Sequence, residues 1–223
     1  MPKRTAVITG GSRGIGKAIV EVLRQQGIEV IAPTRTELDL ASPASIDAWC
    51  ARHATITTDI LINNAGINTL GAISELEDSA WDTMEQINLR APLRLMRAVV
   101  PGMVRRGWGR VVNITSVWAH VARERRGGYA ATKAAISAVT RTLAVECGGA
   151  GVLVNALSPG FVATELTRQN NSPAELDAIC TRIPLARLAE PHEIAHAVAW
   201  LASESNTYIT GQTIIADGGY TAI

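Results

Sequence analysis

The sequence predicts an α/β fold: one parallel sheet, doubly wound, with helices on both faces. Two observations carry that prediction. Six short apolar runs, at residues 5–9, 29–32, 59–63, 110–114, 152–157 and 212–216, alternate with stretches of helical period at 15–26, 43–53, 79–106, 129–147 and 191–203. Hydrophobic residues make up 47% of the chain and charged ones 18%, which suits strands buried on both sides and excludes a disordered chain. No repeat, low-complexity tract or linker divides the 223 residues, so 1–223 reads as a single domain.

Thr5-Ala6-Val7-Ile8-Thr9 is an apolar run that stops at Gly10-Gly11, as a buried strand does on entering a tight turn. Ile15, Ala18, Ile19, Val22 and Leu23 then share one face of a helix, and Gly27 closes it. The later apolar runs repeat the character of the first strand. Pro101 lies inside 79–106, where its missing N–H and its ring predict a kink or a break. Residues 164–183 are different. A polar, turn-prone stretch from Arg168 to Pro173 leads into an amphipathic run at 174–183, which makes a candidate lid over a site.

Net charge is +1, with 21 basic against 20 acidic residues, so no nucleic-acid partner is indicated. Arg123-Glu124-Arg125-Arg126 is short and broken by an acid, and reads as a solvated loop. Cys50, Cys147 and Cys180 are odd in number and far apart; they suggest buried thiols in a reducing compartment, with neither a disulfide framework nor a metal site. The first residues run straight into a strand-like stretch without a signal-peptide core, and no apolar run reaches the roughly 18 residues that span a bilayer. These features are those of a cytoplasmic protein that does not enter a membrane.

Thr9-Gly10-Gly11-Ser12-Arg13-Gly14-Ile15-Gly16 follows the first strand and opens the first helix. Glycine there permits a tight turn and a close backbone approach to a pyrophosphate, and the helix N-terminus offers free N–H groups and a positive partial charge. Further on, Tyr129 and Lys133 stand four apart in Tyr129-Ala130-Ala131-Thr132-Lys133, on one face of a helix. A phenol, with an ordinary pKa of about 10, is a poor base at neutral pH, and a neighbouring ammonium favours its phenolate. Ser116, from the end of a separate strand, can offer a hydroxyl to a carbonyl oxygen.

The spacing T-G-x-x-x-G-x-G, followed in order by Asn63-Asn64-Ala65-Gly66, Asn88, Ser116, Tyr129, Lys133, Pro159-Gly160 and Asp217-Gly218-Gly219, resembles the short-chain dehydrogenase/reductase family over residues 5–220. With Ile183-Pro184-Leu185 and Pro191-His192-Glu193-Ile194-Ala195 the chain is most similar to the 3-oxoacyl-carrier-protein reductase branch. The resemblance implies a single-domain Rossmann-type sheet of strand order 3-2-1-4-5-6-7 and an oxidoreductase that interconverts a carbonyl and a secondary alcohol. It implies Tyr129 as general acid/base, Lys133 lowering the phenol's pKa and holding the nicotinamide ribose, and Ser116 polarising the substrate carbonyl. Asn88 would hold a water linking the lysine to solvent, although an asparagine inside a helix can equally serve local backbone groups. Around the cofactor, the resemblance places Gly10, Ser12, Arg13, Gly14, Ile15 and Gly16 at the glycine turn. Asn64, Ala65 and Gly66 fall on the adenine-ribose side with Asn63 bracing the sheet, and Asp39-Leu40 at the adenine. Pro159, Gly160, Val162 and Thr164 belong to the segment that meets the nicotinamide and pyrophosphate.

The second strand ends Ala32-Pro33-Thr34-Arg35-Thr36, with no acid before Glu37 and with Arg13 as a second cation. Arginine suits the 2′-phosphate of NADP, whereas NAD sites place a carboxylate there, so NADP is expected. The helix usual in the family after this strand is missing, which leaves Glu37 at the ribose, and NAD, as the alternative. Trp118 and His120 stand where small residues are common in the family: Trp118 reads as a pocket wall or an oligomer contact, and His120 as a loop histidine. The apolar faces of 79–106 and 129–147 fit a homo-oligomer, a tetramer before a dimer. Two other functions compete, a nucleotide-binding sensor or scaffold without turnover and a sugar-nucleotide epimerase or dehydratase. The first has no need of Ser116, Tyr129 and Lys133 together. The second usually carries a larger part beyond its lysine than this chain has beyond Lys133.

Overall fold

The computed structural model describes residues 4–222; the reading made of the first residues falls partly on 1–3, outside that range. Six strands, β1 (Thr5–Ile8), β2 (Glu29–Ile31), β3 (Ile60–Asn63), β4 (Gly109–Ile114), β5 (Val152–Pro159) and β6 (Thr213–Ala216), form one sheet in the order β2-β1-β3-β4-β5-β6. Every neighbouring pair is parallel. The helices are α1 (Gly14–Gln25), α2 (Pro43–Arg52), α3 (Asp78–Glu85), α4 (Ala91–Arg106), α5 (Gly127–Cys147), α6 (Glu165–Gln169), α7 (Pro173–Cys180) and α8 (Pro191–Leu201).

Successive strand residues point to opposite faces, so each apolar strand feeds two cores. Ala6, Ile8, Ile60, Ile62, Val112 and Ile114 pack with Ile19 and Leu23 of α1 and Ile194 and Val198 of α8. Val7, Leu61, Val111, Val152 and Val154 pack on the other side with Ile46, Leu95, Met103 and Ile136 of α2, α4 and α5. All six residues of β4, in the middle of the sheet, are buried, whereas the edge strands β2 and β6 have no buried residue.

The order is the expected one without its outermost strand. Only residues 32–42 separate β2 from α2, and a parallel crossover needs a dozen residues or more including its own helix. The stretch holding Asp39 and Leu40 therefore runs as turns along the sheet edge.

A second difference lies in 79–106. The interruption falls at Gln86–Arg90, a π turn between α3 and α4, and α4 continues through Pro101. Pro101 and Arg97, whose carbonyl the proline leaves without its helical donor, are both exposed, so water can serve that carbonyl. The π turn instead turns Asn88 inward, where it is 1% exposed. Only one cysteine matches the expected burial: Cys147 is buried, while Cys50 and Cys180 are half-buried.

Candidate active site

The carboxyl ends of the strands open into a cleft of about 610 Å³. At one end lies the glycine turn. Arg13 is the N-cap of α1 in extended backbone, without a side-chain cap and without an acid in the first turn, so the first N–H groups stay free for an anion. Gly14 has a φ of +53°, and a Cβ on Gly16 would collide with the carbonyl oxygen of Gly10. The Thr9 hydroxyl accepts the N–H groups of Asn64 and Ala65, both at 3.1 Å, and Asn64 Nδ2 donates back to the Thr9 carbonyl at 3.0 Å. Asn63 Nδ2 donates to Asn113 Oδ1 at 2.8 Å, tying β3 to β4. A cradle of glycine and free helix N–H groups, with no acid in the first turn of α1, fits a dinucleotide pyrophosphate.

At the edge beyond β2, Arg13 and Arg35 both line the cleft. Arg13 pairs with Glu165 at 2.9 Å, and Arg35, 84% exposed, lies 3.7 Å from Asp39. Glu37 does not line this cleft. Its Oε2 accepts both the N–H and the hydroxyl of Thr34, at 2.7 and 2.8 Å, and those bonds hold its carboxyl below the usual range. Leu40 is positioned by its carbonyl, which accepts Gln86 Nε2 from the π turn at 3.0 Å.

At the other end, Ser116 leaves β4 in extended backbone, and its Oγ accepts the Trp118 N–H at 3.3 Å. Tyr129 and Lys133 face it from the first turns of α5, with Lys133 Nζ 5.6 Å from the Tyr129 ring centre. Lys133, 3% exposed, donates to the Ile114 carbonyl at 2.8 Å. Burial pushes the Tyr129 phenol up to about 12, while the Ser116 hydroxyl and the Arg126 guanidinium pull it down. Burial also brings the Lys133 ammonium down to about 8. The expected acidification of Tyr129 by Lys133 is not seen here: burial is the largest cause for both groups, and what opposes it at the phenol is Ser116 and Arg126. A phenol with that pKa is a proton donor at neutral pH.

The expected cofactor residues all border this one cleft: Gly10, Ser12, Arg13, Gly14, Ile15 and Gly16; Arg35, Asp39 and Leu40; Asn64, Ala65 and Gly66; Tyr129 and Lys133; Pro159, Gly160, Val162 and Thr164. Ser116 joins them, but Asn88 does not; it sits behind Gly66. Its Oδ1 accepts the Ile67 N–H at 2.9 Å, and its Nδ2 donates to the Ile67 carbonyl and to Thr132 Oγ1, at 2.9 and 3.1 Å. Both amide hydrogens are thus committed to protein groups, so the expected water would have to donate to Oδ1, which accepts one hydrogen bond from the protein. Trp118 is a wall, stacked edge-on to Phe161 and Tyr220, and His120 is exposed outside the cleft. The sequence reading missed Phe161 and Arg126. Arg126 was hidden among neighbouring charges, and only its place three residues before Tyr129 could have marked it.

A parallel α/β sheet with such a cleft at the carboxyl ends of its strands defines a dinucleotide-binding protein. A family model described as Enoyl-(Acyl carrier protein) reductase matches residues 32–221, and one described as short chain dehydrogenase matches residues 4–57. The 3-oxoacyl-[acyl-carrier-protein] reductase of Vibrio cholerae is 36% identical over 97% of this chain and 96% of its own length. The reductase of the same name from Escherichia coli is 35% identical over the same shares. The solved gluconate 5-dehydrogenase of Burkholderia cenocepacia, in complex with NADP and tartrate, is 30% identical and superposes with a TM-score of 0.89 over 100% of this chain and 97% of that one. The chain belongs to the short-chain dehydrogenase/reductase family and is an oxidoreductase. No helix among the described residues is long and apolar enough to cross a membrane.

Proposed function

We propose that this chain is an NADP(H)-dependent oxidoreductase that interconverts a carbonyl and a secondary alcohol, as the 3-oxoacyl reductases it is similar to do. The observation that carries this reading is the convergence of Ser116, Tyr129 and Lys133 on a cleft whose far end is an uncapped helix N-terminus in a glycine cradle. The nicotinamide, when bound, supplies or accepts the hydride. Gly10 to Gly16 and Thr164 would hold the pyrophosphate, Arg13 and Arg35 the 2′-phosphate, and Pro159 and Gly160 would border the nicotinamide. Ser116 donates a hydrogen bond to the carbonyl oxygen and fixes its place. Tyr129, protonated at neutral pH, gives its proton to that oxygen as charge develops there. Lys133 anchors the ribose and presents an ammonium beneath the phenol. Asn88 clamps the loop carrying Gly66 against α5.

Residues 164–183 act as a lid: Glu165, Leu166 and Asn170 line the cleft from α6 and the turn after it. A cytoplasmic homo-oligomer, a tetramer before a dimer, is supported by the apolar residues left exposed on β6 and α5, Ile214 at 37%, Ile215 at 40% and Val145 at 86%. The test is Tyr129→Phe. NADPH binding, followed by its fluorescence, should persist while reduction of a ketone panel falls about a thousandfold, the scale of general acid catalysis. Near wild-type turnover by that variant would overturn the assignment.

A further inference from the structure

Arg126 is a buried cation without a partner. It is 5% exposed, and among the described residues no side-chain hydrogen bond or ion pair reaches its guanidinium. Burial is the largest cause that lowers its pKa and Arg123 adds to it, while Tyr129 and Glu175 act the other way without an ion pair or hydrogen bond to it. A buried guanidinium is costly unless hydrogen-bonded to an anion. The neighbouring Arg123 is already engaged, with Asn171 Oδ1 at 3.2 Å and Glu175 at 4.0 Å. Asn171 is engaged as well, its Nδ2 donating to the Thr167 carbonyl at 2.8 Å. Arg126 thus has five N–H donors and only the cleft to spend them in.

Its place in the cleft defines the ligand. Arg126 is the N-cap of α5 and stands three residues before Tyr129, one helical turn away on the same face. Trp118 and Phe161, packed edge-on, form an apolar wall of the same cleft, at the substrate end and away from the glycine turn. One fork-shaped cation beside the proton donor, bounded by aromatic rings, matches one carboxylate on a short carbon chain. We propose that Arg126 binds the carboxylate of the substrate, and that the substrate class is a free oxo acid and its hydroxy acid, of about four to six carbons. This rests on the oxidoreductase reading above and departs from a thioester substrate, whose carbonyl carries no charge for Arg126 to meet.

The test uses the full chain with NADPH and two probe pairs, 3-oxobutanoate and 4-oxopentanoate, each beside its methyl ester. Wild type should prefer acid to ester about thirtyfold in kcat/KM, the scale of one charge-assisted pair. Arg126→Gln should bring that ratio close to one, and Arg126→Lys, which keeps the charge and loses the fork, should leave it in between. The lysine variant, checked by thermal melting, decides the matter if glutamine does not fold. A wild-type ratio near one, or an equal loss on acid and ester in the variants, overturns the proposal. If no probe is reduced at all, the oxidoreductase reading is what fails. Calorimetric binding of 4-oxopentanoate to the chain with NADP then judges Arg126 alone: weaker binding in Arg126→Gln upholds the anion site, and unchanged binding removes it.

Discussion

Replacing Lys133 with methionine should exchange catalysis for stability. Lys133 is 3% exposed, and the Ile114 carbonyl accepts its one hydrogen bond among the described residues. Burial brings its ammonium from 10.5 to about 8, so at pH 7 carrying the proton in the folded chain costs about 3 kcal/mol. Methionine fills a similar length without charge and gives up one hydrogen bond worth about 1 kcal/mol. The variant without cofactor should therefore be more stable by about 2 kcal/mol at pH 7. The folded pKa lies below the unfolded one, so between about 8 and 10.5 the unfolded chain binds more protons, and wild-type stability gains from this group as pH rises. At pH 9.5 the cost in wild type has fallen by about 2 kcal/mol, and the two chains should unfold at nearly the same denaturant concentration. Urea unfolding at both pH values, read as the difference between the chains, cancels every other titrating group. A variant no more stable at pH 7, or a difference that does not shrink by pH 9.5, refutes the burial argument.

Arg35→Ala should weaken NADPH about tenfold and leave NADH nearly unchanged in fluorescence titrations; equal losses would remove the 2′-phosphate role. Gly16→Ala places a Cβ against the Gly10 backbone carbonyl, which no rotamer can relieve, so NADPH affinity should drop at least tenfold. Native affinity in that variant would show that the turn is not the cradle. Asn88→Ala removes three hydrogen bonds and orphans both backbone groups of Ile67. Urea unfolding should report a loss of about 3 kcal/mol, and a loss under 1 would mean that the π turn does not depend on this clamp.

The strands were legible because each is a short apolar run, most of them closed within a few residues by glycine, asparagine or proline, and those endings also carry the site. Gly10 and Asn64 follow strand ends and Pro159 closes one, and they reach the cleft for that reason. The π turn was not legible, since Gln86–Arg90 keeps the hydrophobic rhythm of the helices around it and Pro101 is the louder signal. The absent edge strand was foreshadowed by the short gap between Arg35 and Asp39, yet the resemblance supplied seven strands. The direction of the Tyr129 shift escaped too: a helical spacing tells which groups are neighbours and says nothing of how deeply they are desolvated. Arg126 was misread for a related reason, because in the loop 123–126 composition cannot distinguish the one guanidinium that turns inward.

Thr9 offers a last consequence. Its single oxygen takes two amides from the segment after β3, while Asn64 returns a bond to the strand it came from. Two linings of the nucleotide groove are tied together along that seam by three hydrogen bonds, each of which would have to break before it parted. The opposite bank is held more lightly, where the glycine turn meets α6 through the solvent-facing Arg13–Glu165 pair. A contact so exposed is easily undone, and a dinucleotide can come and go there without disturbing the sheet.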